Sequence, residues 1–290
     1  MTAVLGLLCA LGMIVLVPLG LRVLDDGTQV ALRTWVSVWP AVGAAGAVGL
    51  TVPRGGIAVG LLAVYAGAAV ALAVGAVARL VRAAQNLPGA PAEVAVATAL
   101  LSPAAGAFAL LARAAGASPG GLVDRDLLAL AAALHVAAFG TALLAGVSAY
   151  AVGNAFSQAT ALVAAVGIWL FTAGLPLVGG VVLAAALLAL SAVLWRYGRP
   201  ASRTLTTKRL LAWAPATTAL AALALMACVS ASGRVSDVAE ATFLTLAAAA
   251  SGVALSGWRR MSLERVAASR EEHGAAGGCS CCAHPARSPA

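Results

Sequence analysis

Few side chains in this 290-residue sequence are equipped for chemistry away from its loops, and the most conspicuous is His135. It sits inside the apolar run Leu127-Leu-Ala-Leu-Ala-Ala-Ala-Leu-His135-Val-Ala-Ala-Phe139-Gly-Thr141, which continues to Gly146. An imidazole exchanges protons near neutral pH and accepts or donates hydrogen bonds. A group of that kind inside a membrane segment needs a partner or a purpose. Glu93 opens an earlier apolar run and Glu240 a later one, so each is a candidate general acid for a lipophilic substrate and a candidate partner for His135. Thr141, Asn154 and Gln158 follow as neutral polar groups suited to holding a substrate. Near the C-terminus, Cys279, Cys281, Cys282 and His284 place three thiols and an imidazole within six residues. Such a set could take Zn²⁺ or Cu⁺, be acylated or oxidised, or have no specific role.

Composition decides what must position these groups. Hydrophobic residues make up 62% of the chain and charged ones only 10%, against about a quarter charged in soluble domains. The fold class expected is therefore all-α, a polytopic transmembrane helix bundle with the lipid bilayer as its solvent. Apolar runs long enough to cross about 30 Å of hydrocarbon fall at 3–21, 35–52, 57–78, 92–112, 127–146, 159–174, 177–195, 210–231 and 238–258, giving about nine spans. At about 1.5 Å of rise per residue, His135 lies roughly 12 Å along its helix from Leu127.

The bundle is expected over residues 1–258, followed by a polar, Gly-rich and disordered tail over 259–290. Pro18 is placed to kink or end the first span, and Ser102-Pro103 to break the fourth. Trp35 and Trp39 suit a lipid–water boundary. Glu93, two residues after Pro91, suits the positive end of a helix, Asp126 suits an N-cap, and Asp237-Val-Ala-Glu240 has capping-box spacing. The boundary between the sixth and seventh spans, around Gly174-Leu-Pro176, is the hardest to draw, and Cys9 and Cys228 read as small packing residues.

The net charge of +8 would suit a polyanion, but the basic residues lie in loops between spans and in the tail, so no nucleic-acid partner is expected. Fourteen Lys and Arg residues fall on the side facing the tail and four on the other. The excess predicts an external N-terminus and a cytoplasmic C-terminus in a multi-pass protein of the inner, or plasma, membrane. No phosphate-binding loop, dinucleotide fingerprint, His-Glu-x-x-His helix or serine nucleophile elbow occurs. A primary ATP-driven pump is thereby excluded, and no cofactor is called for apart from a metal on the tail thiols.

The fifth span resembles that of the YndJ-type family of bacterial membrane proteins. Members read His-Phe-His-Tyr-Ala-Gly-Phe and then Leu-Leu-Ala-Gly, where this chain reads Ala133-Leu-His135-Val-Ala-Ala-Phe139 and then Leu143-Leu-Ala-Gly146. Val17-Pro-Leu-Gly-Leu21 with Asp25, Glu93 with Arg113-x-x-Gly116, and Gly174-Leu-Pro-Leu177 extend the similarity across roughly residues 4–258. Near the last span, Glu240-Ala-Thr242-Phe-Leu-Thr245 stands where members carry His-Gly and Asn before a Gly-Trp ending, here Gly257-Trp258. The resemblance implies a secondary transporter or lipid-associated carrier, with His135 exchanging a proton or binding a lipophilic small molecule. Two alternatives stand beside it. One is an intramembrane cyclase or isomerase that protonates an isoprenoid-type substrate through Glu93 or Glu240; the other is an accessory membrane subunit without chemistry of its own.

Overall fold

A computed structural model describes residues 2–25, 30–85, 89–198, 204–230 and 234–277, and among them there are helices and short connections but no strand. Nine helices follow one another: α1 (Thr2–Leu24), α2 (Val30–Thr51), α3 (Gly56–Gln85), α4 (Ala90–Ala114), α5 (Asp124–Val152), α6 (Ala155–Thr172), α7 (Pro176–Tyr197), α8 (Leu205–Ser230) and α9 (Arg234–Gly277). All but α2 are both long and apolar enough to cross a membrane. The 22 residues of α2 suffice in length, but its Trp, Ser, Thr and Pro residues dilute the apolar content. The chain is thus an all-helical integral membrane protein.

Each apolar run becomes a helix because a backbone polar group left unpaired in lipid costs several kcal/mol, and only a helix satisfies all of them within one segment. Ala and Gly then allow close approach. A Cβ on Gly43 of α2 would lie 2.6 Å from the Met13 carbonyl oxygen of α1, and one on Gly167 of α6 would lie 2.8 Å from the Leu183 nitrogen of α7. The helix at the centre is α5, whose apolar stretch is 83% buried against other helices.

Ion pairs gather the helix ends into two opposite layers. Arg54, in the turn between α2 and α3, binds Asp124 at the start of α5, and the Arg113 Nε at the end of α4 lies 3.2 Å from the same carboxylate oxygen. Arg125 binds Asp237 near the start of α9. At the other layer, Arg79 late in α3 holds Glu93 in the first turn of α4 at 3.1 Å, and Asn154 before α6 donates to the Tyr197 hydroxyl at the end of α7 at 2.9 Å. The connections that meet at each layer are the ones a helix bundle crossing alternately would bring together.

Several local expectations are corrected. Ser102-Pro103 does not break α4. Proline removes the N–H that would bond the Ala99 carbonyl, and the Ser102 hydroxyl donates to that carbonyl instead, at 2.9 Å. Pro18 does not end α1; the helix widens into a π turn at Gly12–Leu16 just before it and resumes. The sixth and seventh spans are separate helices joined by a hairpin at Gly174, whose φ of 87° favours glycine, with Pro176 in the first turn of α7. Trp39 is fully buried and donates to the Met13 carbonyl at 3.0 Å, away from any lipid–water boundary. Asp126 sits inside the first turn of α5, where its carboxylate accepts from the Val123 N–H at 3.4 Å, and α9 begins at Arg234, so Asp237 is likewise inside the helix and not its cap.

The helix α9 also runs beyond Trp258 to Gly277, so the bundle's last helix outlasts the boundary expected at 258. Residues 259–272 are rich in Arg, Glu and Ala, which favour helix without needing burial. The remainder of the tail lies outside the described residues.

With α2 counted the crossings number nine, an odd number, so the two termini should report opposite sides of the membrane. Reporters fused before Met1 and after Ala290 test this, and reporters found on the same side would show that α2 does not cross.

Candidate functional site

The imidazole of His135 is fully buried at the junction of α1, α3, α4 and α5. Two features of the backbone make room for it. The first is a π turn in α5 over Ala133–Ala138, which carries the histidine; such widened turns are rare in helices and recur at functional positions. The second is a pair of glycines. A Cβ on Gly12 would stand 2.7 Å from His135 Cβ, and a Cβ on Gly106 would stand 2.5 Å from His135 Nδ1. Contact at either distance is prohibitive, so α1 and α4 approach His135 this closely only because positions 12 and 106 carry no side chain.

The ring nitrogens are both matched. Nδ1 lies 2.7 Å from the Ala131 carbonyl oxygen and Nε2 lies 2.6 Å from the Tyr65 hydroxyl of α3. A carbonyl only accepts, so Nδ1 carries the proton and donates to Ala131. The Tyr65 O–H then donates to Nε2, which describes a neutral imidazole. A doubly protonated ring would be a buried charge whose described contacts include no carboxylate. The Cys9 Sγ of α1 adds a weak contact at 3.8 Å from Nδ1.

The network continues outward through aromatic rings. Tyr65 meets His135 at a ring separation of 5.5 Å, Trp39 meets Tyr65 edge-on at 5.8 Å, and Trp35 meets Trp39 at 6.4 Å. The Trp39 N–H holds the Met13 carbonyl inside the π turn of α1. Two widened turns therefore face one another, and each is pinned by a side chain from a neighbouring helix.

His135 does not share a site with either glutamate. Glu93 is bound by Arg79 and lines a cavity of about 440 Å³ at the opposite layer with Tyr150 and Trp258. Glu240 lies 3.6 Å from Arg125 near the Asp124 layer. Asn154 is the N-cap of α6, accepting from the Ser157 N–H at 2.8 Å, and Gln158 donates to the Ala149 carbonyl at 3.2 Å. Thr141 is buried six residues beyond His135. Cys279, Cys281, Cys282 and His284 lie outside the described residues, and among those described no group of three or more metal-ligating side chains converges.

A larger cavity opens on the other face of the same α5 turn. Its volume is about 530 Å³, within the range of small-molecule sites. Ala133, Leu134, Ala137 and Ala138 of the π turn form one wall, while α6 to α9 contribute Ile168, Leu183, Leu225 and Phe243 among others. Arg125, Asp126 and Glu240 form its polar end. From Arg125 to Ala138 is about 20 Å of helix, so the cavity reaches well past the depth of a headgroup. A separate cavity of about 240 Å³ borders the same Leu130, Leu134, Ile168 and Thr172 side chains and reaches Trp169, which is half exposed and donates to Thr98 at 3.1 Å.

Tyr65, Trp39, Cys9 and the two glycines were not singled out from the sequence as part of this site. One signal was available for Tyr65, a lone hydroxyl in the middle of an otherwise apolar span. It lies nine residues from the start of α3, and His135 eleven from the start of α5. Arg54 ties those two helix ends together, so the two groups meet at nearly equal depth.

A family model described as YndJ-like protein matches residues 7–257. No curated protein and no solved structure matches the chain.

Tyr65→Phe should lower stability in detergent by about 1 kcal/mol, as interhelical hydrogen bonds in membranes do. In a double-mutant cycle with His135→Ala most of that loss should vanish. Gly106→Ala should destabilise by about 1–3 kcal/mol through overpacking, whereas Gly60→Ala, with nothing near its added Cβ, should be neutral or stabilising in the same thermal unfolding measurement.

Proposed function

The chain belongs to the YndJ-like family, and from that membership together with the cavity beside α5 we propose that it is a carrier, a secondary transporter that holds a lipophilic small molecule inside the membrane. The observation that carries this reading is the 530 Å³ cavity, apolar along its length and charged at one end. Its walls match a ligand that partitions into lipid, and the polar end gives the ligand an orientation. The neighbouring cavity at Trp169 is the side from which we take the ligand to enter. We place the protein in the plasma membrane with its C-terminus cytoplasmic, as the excess of basic residues on that side requires.

A carrier needs two states, and the π turn of α5 is the element suited to provide them. A π turn holds about one residue more than an α turn, so closing it rotates the following residues by about 100° about the helix axis. That rotation would take Leu134, Ala137 and Ala138 out of the cavity wall. His135 acts here as a positioning residue. It does not line the cavity; it ties the far side of the turn to Tyr65 and holds the state in which the cavity is open.

An acid-catalysing enzyme finds less support. Glu93 is hydrogen-bonded to Arg79 and cannot protonate a substrate without giving up that ion pair, and Glu240 stands near the charged layer with Arg125 at 3.6 Å.

Purified protein should carry a lipophilic compound at near one per chain, detectable in solvent extracts by mass spectrometry. Leu134→Trp should fill the cavity and remove it. Tyr65→Phe and His135→Ala should leave the compound bound but slow its exchange between proteoliposomes several-fold. Identical extracts from the wild-type protein and Leu134→Trp would refute the carrier.

A further inference from the structure

Of the described charged side chains that line the α5–α9 cavity, two are acids, Asp126 and Glu240, and one is a cation, Arg125. A third acid, Asp237, is bonded to that same guanidinium. The three acids are not held equally. Asp237 is hydrogen-bonded to Arg125, and Asp126 accepts the Val123 N–H at the start of α5. Glu240 reaches no described cation closer than 3.6 Å, beyond hydrogen-bonding distance, and its side chain is 26% exposed while lining the cavity.

Aromatic rings complete the same corner. Phe243 lies three residues beyond Glu240 on α9, so both project from one face of the helix. Phe171, at the end of α6, lines the cavity as well. The faces of such rings attract cations, most strongly where water is excluded. An anion would meet the carboxylates of Glu240 and Asp126, and the one guanidinium lining the cavity is already hydrogen-bonded to Asp237.

We propose that the ligand of this cavity is a lipophilic organic cation, an aromatic or alkyl group bearing a quaternary or protonated onium centre, with the charge beside Glu240 and the rings of Phe171 and Phe243. This rests on the carrier reading and adds to it the sign of the ligand's charge.

Cys228 of α8 lines the cavity and is partly exposed, whereas Cys9 is fully buried, so the chain contains its own reporter and its own control. The test is the rate at which a small maleimide alkylates Cys228 in detergent-solubilised protein, followed by mass spectrometry. The probes are tetraphenylphosphonium and tetraphenylborate, nearly equal in size and opposite in charge. Tetraphenylphosphonium should slow the reaction at least ten-fold and saturably, with tetraphenylborate ineffective at the same concentration. Glu240→Gln should raise the concentration required by about ten-fold, and Phe243→Leu by a smaller factor without removing the ion pair. Equal protection by both ions would overturn the charge selection while leaving the carrier intact, and stronger protection by the borate would overturn it as well. Protection by neither ion, with Cys228 freely alkylated, would defeat the carrier reading itself.

Discussion

A neutral imidazole has one donor and one acceptor, and in an interior without water both must be met by the protein. Much of the bundle's first half is arranged around that requirement. The acceptor for Nδ1 comes from α5 itself, at Ala131, but the donor for Nε2 comes from Tyr65 on α3. Tyr65 can stand there only because α1 and α4 pass the ring through Gly12 and Gly106, and because Gly46 of α2 leaves space beside the phenol, where a Cβ would be 2.9 Å from Tyr65 Cγ. Four neighbouring helices are thus placed by one polar side chain. Gly12 faces the Cβ and backbone that any side chain at 135 would bring, whereas Gly106 and Tyr65 answer the ring itself.

The same constraint links the two halves of the molecule. Residues 133–138 form one widened turn, whose His135 side is held by α1, α3 and α4, and whose Leu134 and Ala138 side bounds the cavity toward α6 to α9. Close-packed interiors change between discrete arrangements and do not deform continuously. On the carrier reading, a turn with two faces committed in this way would pass a change in its hydrogen bonding into cavity shape. No longer pathway is needed, because the coupled element is a single turn of helix.

How much of this was legible depended on the range of the interaction. The spans were visible because hydropathy acts over each segment alone, and His135 was visible because one ionisable group interrupts such a segment. Glu93 was read correctly as belonging to a helix start, again a local matter. What escaped was pairwise and distant: Tyr65 is 70 residues from His135, Cys9 is 126, and nothing within either segment announces its partner. Trp39 was assigned to an interface by its residue type, whereas a carbonyl in the widened turn of α1 draws it inward. Ser102 beside Pro103 suggested a break for the same reason that it prevents one, since the hydroxyl takes the bond that proline cannot make. Cavities are the extreme case, being made of what five helices leave unfilled.

The separation of charge from the centre follows from the cost of burying it. A carboxylate at mid-depth would need a counter-ion there, and breaking such a pair is far more costly than never forming it. The acids expected to assist His135 instead sit near helix ends, where arginines of other helices meet them and water is near. Histidine is the group that can occupy the middle, because it can shed its charge and still make two hydrogen bonds. The ends of the bundle therefore carry fixed charge that aligns the helices, and its centre carries an uncharged bond that can be exchanged. On the carrier reading, a ligand entering from lipid would meet the apolar wall of that central turn first and the carboxylates only at the cavity's end, so that its apolar part would act on the widened turn while the charged end selects its sign.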